Sequence, residues 1–164
     1  MYRRILVPTD GSEVAELAVG AAIQFARACG SVIVALSVAQ PYPIPAGDAS
    51  MVVDAGVAAD VLMAQARSNV DHVAELARAA GVPCETVVEY ASSPSDEILN
   101  AVKLHRCDLV FMGSHGRRGL SRLLAGSETQ KVMAYSPVPV MVLRPQAHAA
   151  GAAPASNGMG PVIV

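Results

Sequence analysis

"DLVFMGSHGRRGLSRLLAGSET", residues 108–129, begins as an apolar strand and ends as the start of a helix. Between the two lie four glycines and three arginines, Arg117, Arg118 and Arg122. A turn needs one glycine or two. Four, closing in Gly126-Ser127 before a helical pattern, describe a backbone shaped to lie against something. An apolar strand that feeds such a loop and then a helix is the repeating unit of an α/β sheet, so the flanking segments should alternate in the same way.

They do. "RRILVPTD", residues 3–10, gives a short apolar strand ending at Pro8. Ser12 caps a helix, with Glu13 and Glu16 in its first turn favouring the positive end. Val14, Leu17, Ala18, Ala21, Ala22, Phe25, Ala26 and Cys29 keep helical spacing, and Gly30 stops the run. "SVIVALSV", residues 31–38, is a second buried strand. From Gln40 to about Val57 the pattern fails in a Pro-rich surface loop, expected to close over a bound ligand. Helical spacing returns with Val61, Leu62, Val70, Val73, Leu76 and Ala77, and Gly81 closes it. "PCETVVEY", residues 83–90, is the third strand. Ser93 as cap and Pro94 at the first helical position open the next helix. "CDLVFM", residues 107–112, and "PVPVMVLRP", residues 137–145, complete the strands. Between them Ser127-Glu128-Thr129-Gln130 fits a capping box.

Alternation throughout predicts an α/β fold, an open five-stranded parallel sheet joined by right-handed crossovers, with helices on both faces. One domain is expected over residues 1–144. The tail, residues 145–164, is rich in Ala, Gly and Pro and cannot build a core. Its apolar "PVIV" end is expected to dock as a short extended segment.

Composition agrees. The 164 residues suffice for a core. With 52% hydrophobic but only 4% aromatic residues, that core must be Val, Leu, Ile and Ala, as in strands buried on both faces. A net charge of −2 and a pI near 6.0 argue against a general nucleic-acid binder. Cys29, Cys84 and Cys107 lack CxxC spacing and read as small buried hydrophobes in a reducing compartment. "MYRRILVPTD" lacks the apolar core of a signal peptide, and no apolar run reaches the ~20 residues of a membrane span. A cytoplasmic location is expected.

In an open parallel sheet, ligands bind beyond the carboxyl ends of the strands, where the strand order reverses. "PTDGS" after the first strand, "SVAQP" after the second and the glycine-rich segment after the fourth should converge there. Asp10 offers a carboxylate to a base amino group or a ribose hydroxyl, or else only caps the helix behind it. Gly113 and Gly116 let the backbone come close to a ligand. Gly126 and Ser127 place free N–H groups at a helix N-terminus, which favours phosphate. Arg117, Arg118 and Arg122 add charge, or form a solvated surface. His115 has no nameable carboxylate partner, so no catalytic residue is assigned.

Other nucleotide folds fit less well. A P-loop needs Gly-Lys-Ser/Thr, which does not occur here. A phosphate-accepting receiver domain would carry paired acids after its first strand and a lysine after its fifth, where this chain has Asp10 alone and Arg144. "PTDGS" also lacks the glycine pair of an ATP pyrophosphatase "SGGxDS" loop.

The pattern Gly-x2-Gly-x9-Gly-Ser, formed by Gly113, Gly116, Gly126 and Ser127, resembles the nucleotide-binding motif of the universal stress protein family. "ILVPTDGS", "SPSDEIL" and "SPVPVMVLR" extend the resemblance over roughly residues 1–144. The resemblance implies strand order 3-2-1-4-5, homodimers, and ATP binding with Mg. By position, Asp10 and the backbone of Val38 would lie by the adenine. Pro8, Met112 and Gly113 would line the adenosine pocket, with Thr9, Ser114, His115 and Arg117 beside them in the same segments. Gly116, Gly126, Ser127 and Thr129 would take the phosphates. The match departs at Glu128, where ATP-binding relatives often carry an aliphatic residue. A carboxylate there suits a helix start but repels phosphate unless it points to solvent. The implied function is a dimeric stress-response binding and signalling module. The alternatives are a vestigial nucleotide site, or slow ATP hydrolysis or self-phosphorylation. The fifth strand, apolar on both faces, would be an aggregation hazard as an uncovered edge, so pairing through residues 137–144 of two copies is expected.

Overall fold

Strand β1 (Arg4–Pro8) runs through the middle of a sheet, with Ile5, Leu6 and Val7 wholly buried. The computed structural model describes residues 2–41, 55–116 and 125–145. β1 pairs in parallel with β2 (Val32–Ala39) on one side and β4 (Leu109–Gly113) on the other. β3 (Cys84–Tyr90) extends the sheet beyond β2, and β5 (Val140–Leu143) extends it beyond β4. The order β3-β2-β1-β4-β5 is the one the resemblance implied. Strand order therefore reverses between β1 and β4, which opens a crevice at their carboxyl ends.

Helix α1 (Glu13–Cys29) starts where expected: the Ser12 hydroxyl accepts the Ala15 amide at 3.3 Å. Gly30 ends it in the left-handed conformation, φ 69°, which glycine adopts without strain. Val14, Ala18, Val19, Ala22, Ile23 and Ala26 are buried, whereas Leu17 lies on the outward side, 47% exposed. α2 (Ala55–Ala79) begins before the expected end of the loop at Val57. α1 and α2 cover one face through Ile5, Val7, Ile33, Ala35, Val70, Val73 and Phe111. On the other face, α3 (Pro94–Leu104) and α4 (Ser127–Tyr135) bury Leu6, Val34, Leu36, Ile98, Val102, Val110 and Val132. Alternation along each strand sends successive side chains to opposite layers. Each fully buried Val, Leu or Ile contributes roughly 1.5–3 kcal/mol.

β5 is shorter than the segment expected for it, because Pro137 and Pro139 have no N–H to give; pairing begins through the Pro139 carbonyl, which accepts the Val110 amide. Val138, Val140 and Val142 face the α3/α4 layer, Leu143 faces the other, and Met141 is exposed. The three cysteines are free. Cys107 is buried, which pushes its thiol up to about 11 and keeps it neutral, while Cys29 and Cys84 are half-buried. Among the described residues no helix is long and apolar enough to cross a membrane. Arg117, Arg118, Arg122, most of the Pro-rich loop and the "PVIV" end lie outside the described residues.

Candidate functional site

A cavity of about 490 Å³ lies at the carboxyl ends of β1, β2 and β4. Every expected site residue within the described segments lines it except Ser114. Pro8, Thr9 and Asp10 come from the end of β1, Val38 from β2, and Met112 and Gly113 from β4. His115 and Gly116 follow β4, and Gly126, Ser127, Glu128 and Thr129 open α4.

The β1–α1 turn is set by its own polar groups. Thr9 Oγ1 accepts the Gly11 amide at 3.2 Å, and Asp10 Oδ1 accepts the Ser12 amide at 3.0 Å. Gly11 takes φ 73°, so this is the glycine near the site whose conformation excludes ordinary side chains. Asp10 thus shapes the turn into α1 while lining the cavity.

Ser114 closes the glycine-rich segment. Its amide donates to Leu143 O at 2.8 Å, and its carbonyl accepts the Gly126 amide at 2.8 Å. Its buried hydroxyl lies 3.0 Å from His115 Nδ1. The Gly126 bond joins the start of α4 to the residue that follows β4.

The three motif glycines differ in their reasons, and none has a positive φ. Of the two reasons for glycine there, a backbone conformation closed to side chains or a place kept for a ligand, the first does not apply. A Cβ at Gly113 would lie 3.0–3.1 Å from Val14, including its backbone carbonyl, so any side chain there would push α1 off β4 by a few tenths of an ångström. A Cβ at Gly116 would lie 2.6 Å from Asp10 Oδ2. At Gly126 the nearest atoms, of His115, are 3.5 Å away, an ordinary contact. Among the described residues a Cβ is tolerated there.

α4 starts one residue before its expected cap. Gly126 is the N-cap, held extended by its bond to Ser114, and Ser127 is the first helical residue. The Ser127–Gln130 capping box therefore does not form. The Gln130 side chain instead donates from Nε2 to Ala125 O at 2.6 Å. The first amide bonded within the helix is that of Gln130, to Gly126 O, so those of Ser127, Glu128 and Thr129 have no intrahelical partner. Thr129 Oγ1 donates to Gly113 O at 3.1 Å, which commits its hydroxyl to joining α4 to β4. Such an N-terminus suits an anion.

Glu128 does not point simply to solvent. Its Oε2 accepts the Ser95 amide at 2.7 Å, within the first turn of α3. The expected Ser93 side-chain cap is absent; Ser93 Oγ meets Ser95 Oγ at 3.3 Å. A carboxylate from α4 does the capping, and the positive end of α3 offsets part of its charge.

The wall contributed by α2 is not foreseen by the motifs. Leu62, Gln65, Ala66 and Asn69 line the cavity, as do Ser37, Pro94 and Ile98. Ser37 is the one signal for it in the sequence, a hydroxyl inside the aliphatic strand "VIVALSVA". Among the described residues no group of three or more His, Cys, Asp or Glu could hold a metal ion.

The model of the universal stress protein family matches residues 1–144. The chain is 28% identical over 147 residues to universal stress protein MJ0531 of Methanocaldococcus jannaschii, covering 88% of this chain and 83% of that protein. The structure of universal stress protein UspA from Lactobacillus plantarum superposes with a TM-score of 0.77 at 25% identity, covering 87% of this chain and 98% of the other. A universal stress protein solved in complex with cAMP shares the fold, with a TM-score of 0.61 at 22% identity over 87% of this chain and 97% of that one. The cavity stands where the strand order reverses, and the sequence match spans every strand that builds it. The chain belongs to the universal stress protein family.

Proposed function

We propose that the chain is an ATP-binding universal stress protein, acting as a homodimeric stress-response binding and signalling module in the cytoplasm. The observation that carries this reading is the start of α4. Its first amides have no intrahelical partner and belong to residues that line the cavity beside Gly126, where among the described residues a side chain would meet only ordinary contacts. That arrangement fits phosphate oxygens, and a cavity of about 490 Å³ suits a nucleotide-sized ligand. A related fold in complex with cAMP supports an adenine nucleotide as the ligand class. Asp10 and the Val38 backbone would meet the base, and Gly116, Gly126, Ser127 and Thr129 the phosphates. Mg would enter with the phosphates. Residues 1–144 form the binding domain in this reading, with residues 145–164 as an appended tail.

The dimer would form through β5. This edge strand carries exposed Met141, apolar surface that a second copy would cover. A second reading, a vestigial nucleotide site, draws on the Glu128 carboxylate in the cavity wall.

Calorimetry of ligand-free protein with ATP and Mg tests the assignment. Saturable binding is expected, abolished by Gly126→Val in protein that still melts cooperatively and scatters light as a dimer. No binding at millimolar ATP would leave the vestigial reading standing.

A further inference from the structure

Ser114 and His115 form a pair that the glycine motif does not call for. Ser114 is 3% exposed and does not line the cavity, whereas half-buried His115 does. The Ser114 hydroxyl lies 3.0 Å from His115 Nδ1 and has no other hydrogen-bond partner among the described residues. A hydroxyl carries one proton, and burial makes an unpaired one costly. The Ser114 proton therefore points at Nδ1, which accepts it, and the proton of the neutral ring stands on Nε2. The reverse arrangement, with Nδ1 as donor, would leave the hydroxyl proton buried without an acceptor.

Position adds to polarity. The Ser114 carbonyl accepts the Gly126 amide at 2.8 Å, and a Cβ on Gly126 would lie 3.5 Å from the Cα and Cβ of His115. His115 thus lies against the N-cap of α4, next to the first-turn amides that have no intrahelical partner. The two ring nitrogens point in diverging directions. With Nδ1 turned to buried Ser114, Nε2 is the nitrogen left for a ligand. Ionised phosphate oxygens only accept hydrogen bonds. A ring that offers Nε2–H matches them, whereas the other tautomer would set a lone pair against them. The same proton bars neutral Nε2 from acting as a base or nucleophile, so the pair is built for binding and not for catalysis.

We infer that His115 donates a hydrogen bond from Nε2 to a phosphate oxygen of the ligand, and that Ser114 is its positioning residue, fixing the tautomer. The inference rests on the nucleotide reading of the cavity and adds a side-chain donor to the backbone amides of α4. The glycines of the motif cannot supply one.

Ring spectroscopy and calorimetry test this together. In isotope-labelled wild-type protein at about pH 8, where an ordinary imidazole is neutral, proton–nitrogen correlation spectra should place the His115 proton on Nε2 alone. Ser114→Ala should show both tautomers. Calorimetry with ATP and with adenosine then isolates the phosphate end. His115→Phe should lower the ATP-to-adenosine affinity ratio about tenfold, the scale of one hydrogen bond to a charged group. His115→Gln, whose amide nitrogen can stand where Nε2 does, should keep the ratio within about threefold of wild type. His115→Asn, whose amide stands nearer the Nδ1 position, should lose it as His115→Phe does. A proton on Nδ1 in the wild type, or a ratio unchanged in His115→Phe, overturns the inference alone. Absence of ATP binding by the wild type at millimolar concentration overturns the nucleotide reading and this inference with it.

Discussion

Glu128→Val should move two measurements in opposite directions. In the wild type, Glu128 Oε2 accepts the amide of Ser95, a residue with 0% exposure. That amide lies in the first turn of α3, where the helix supplies no partner. Valine would leave it buried and unpaired, at a cost of about 1–3 kcal/mol. Loss of a negative charge at the positive end of α3 adds ~0.3–1 kcal/mol. The two together come to about 1–4 kcal/mol, or roughly 3–16 °C in melting temperature for a domain of this size. Glu128→Gln keeps an acceptor and loses only the charge, so it should fall by no more than ~1 kcal/mol. Removing the carboxylate from the cavity wall should meanwhile tighten ATP binding and change its salt dependence. Thermal melts of the three proteins without nucleotide, then calorimetry with ATP and Mg, separate the effects. Melting of Glu128→Val within about 1 °C of wild type would refute the capping role. Weaker ATP binding by that variant would refute the opposition between carboxylate and phosphate.

Gly113→Ala should destabilise the fold by about 1–3 kcal/mol, because its Cβ would meet Val14 backbone atoms that cannot yield. Gly126→Ala should cost no more than ~1 kcal/mol, a weaker helix cap, yet impair ATP binding; equal urea midpoints for the two variants would contradict this. Arg4 holds Glu85 in a bidentate pair, with oxygen–nitrogen distances of 2.9 and 2.6 Å, which keeps its carboxyl below the ordinary 4.5. A lowered folded-state value stabilises above the unfolded value, and the benefit is lost as pH falls through the folded one. Glu85→Gln should therefore cost at most ~1 kcal/mol at about pH 7 for so exposed a pair. The gap to wild type should narrow as pH falls below the ordinary carboxylate range and close once it passes the lowered folded-state value; urea titrations showing it unchanged there would exclude the pair as its source.

Local chemistry made the elements legible in the sequence. Ser12 with Glu13 and Glu16 marks the start of α1, Gly30 marks its end, and the apolar runs around Leu6, Val34 and Val110 mark buried strands. Helical and strand periodicities are properties of neighbouring residues, so one chain suffices to read them. The ordered glycines and flanking segments pointed to the family and to the crevice between β1 and β4. Packing decided the rest. A Cβ at Gly113 would press on the α1 backbone and one at Gly116 on the Asp10 carboxylate, contacts that do not show in a sequence where each glycine reads as room for a ligand. Glu128 caps a helix 33 residues away, and Asn69 meets Ser37 across 32. Periodicity says which face of a helix is apolar but not which polar groups two packed elements bring together. A carboxylate's effect on its surroundings depends on that meeting, and only the assembled layers provide it.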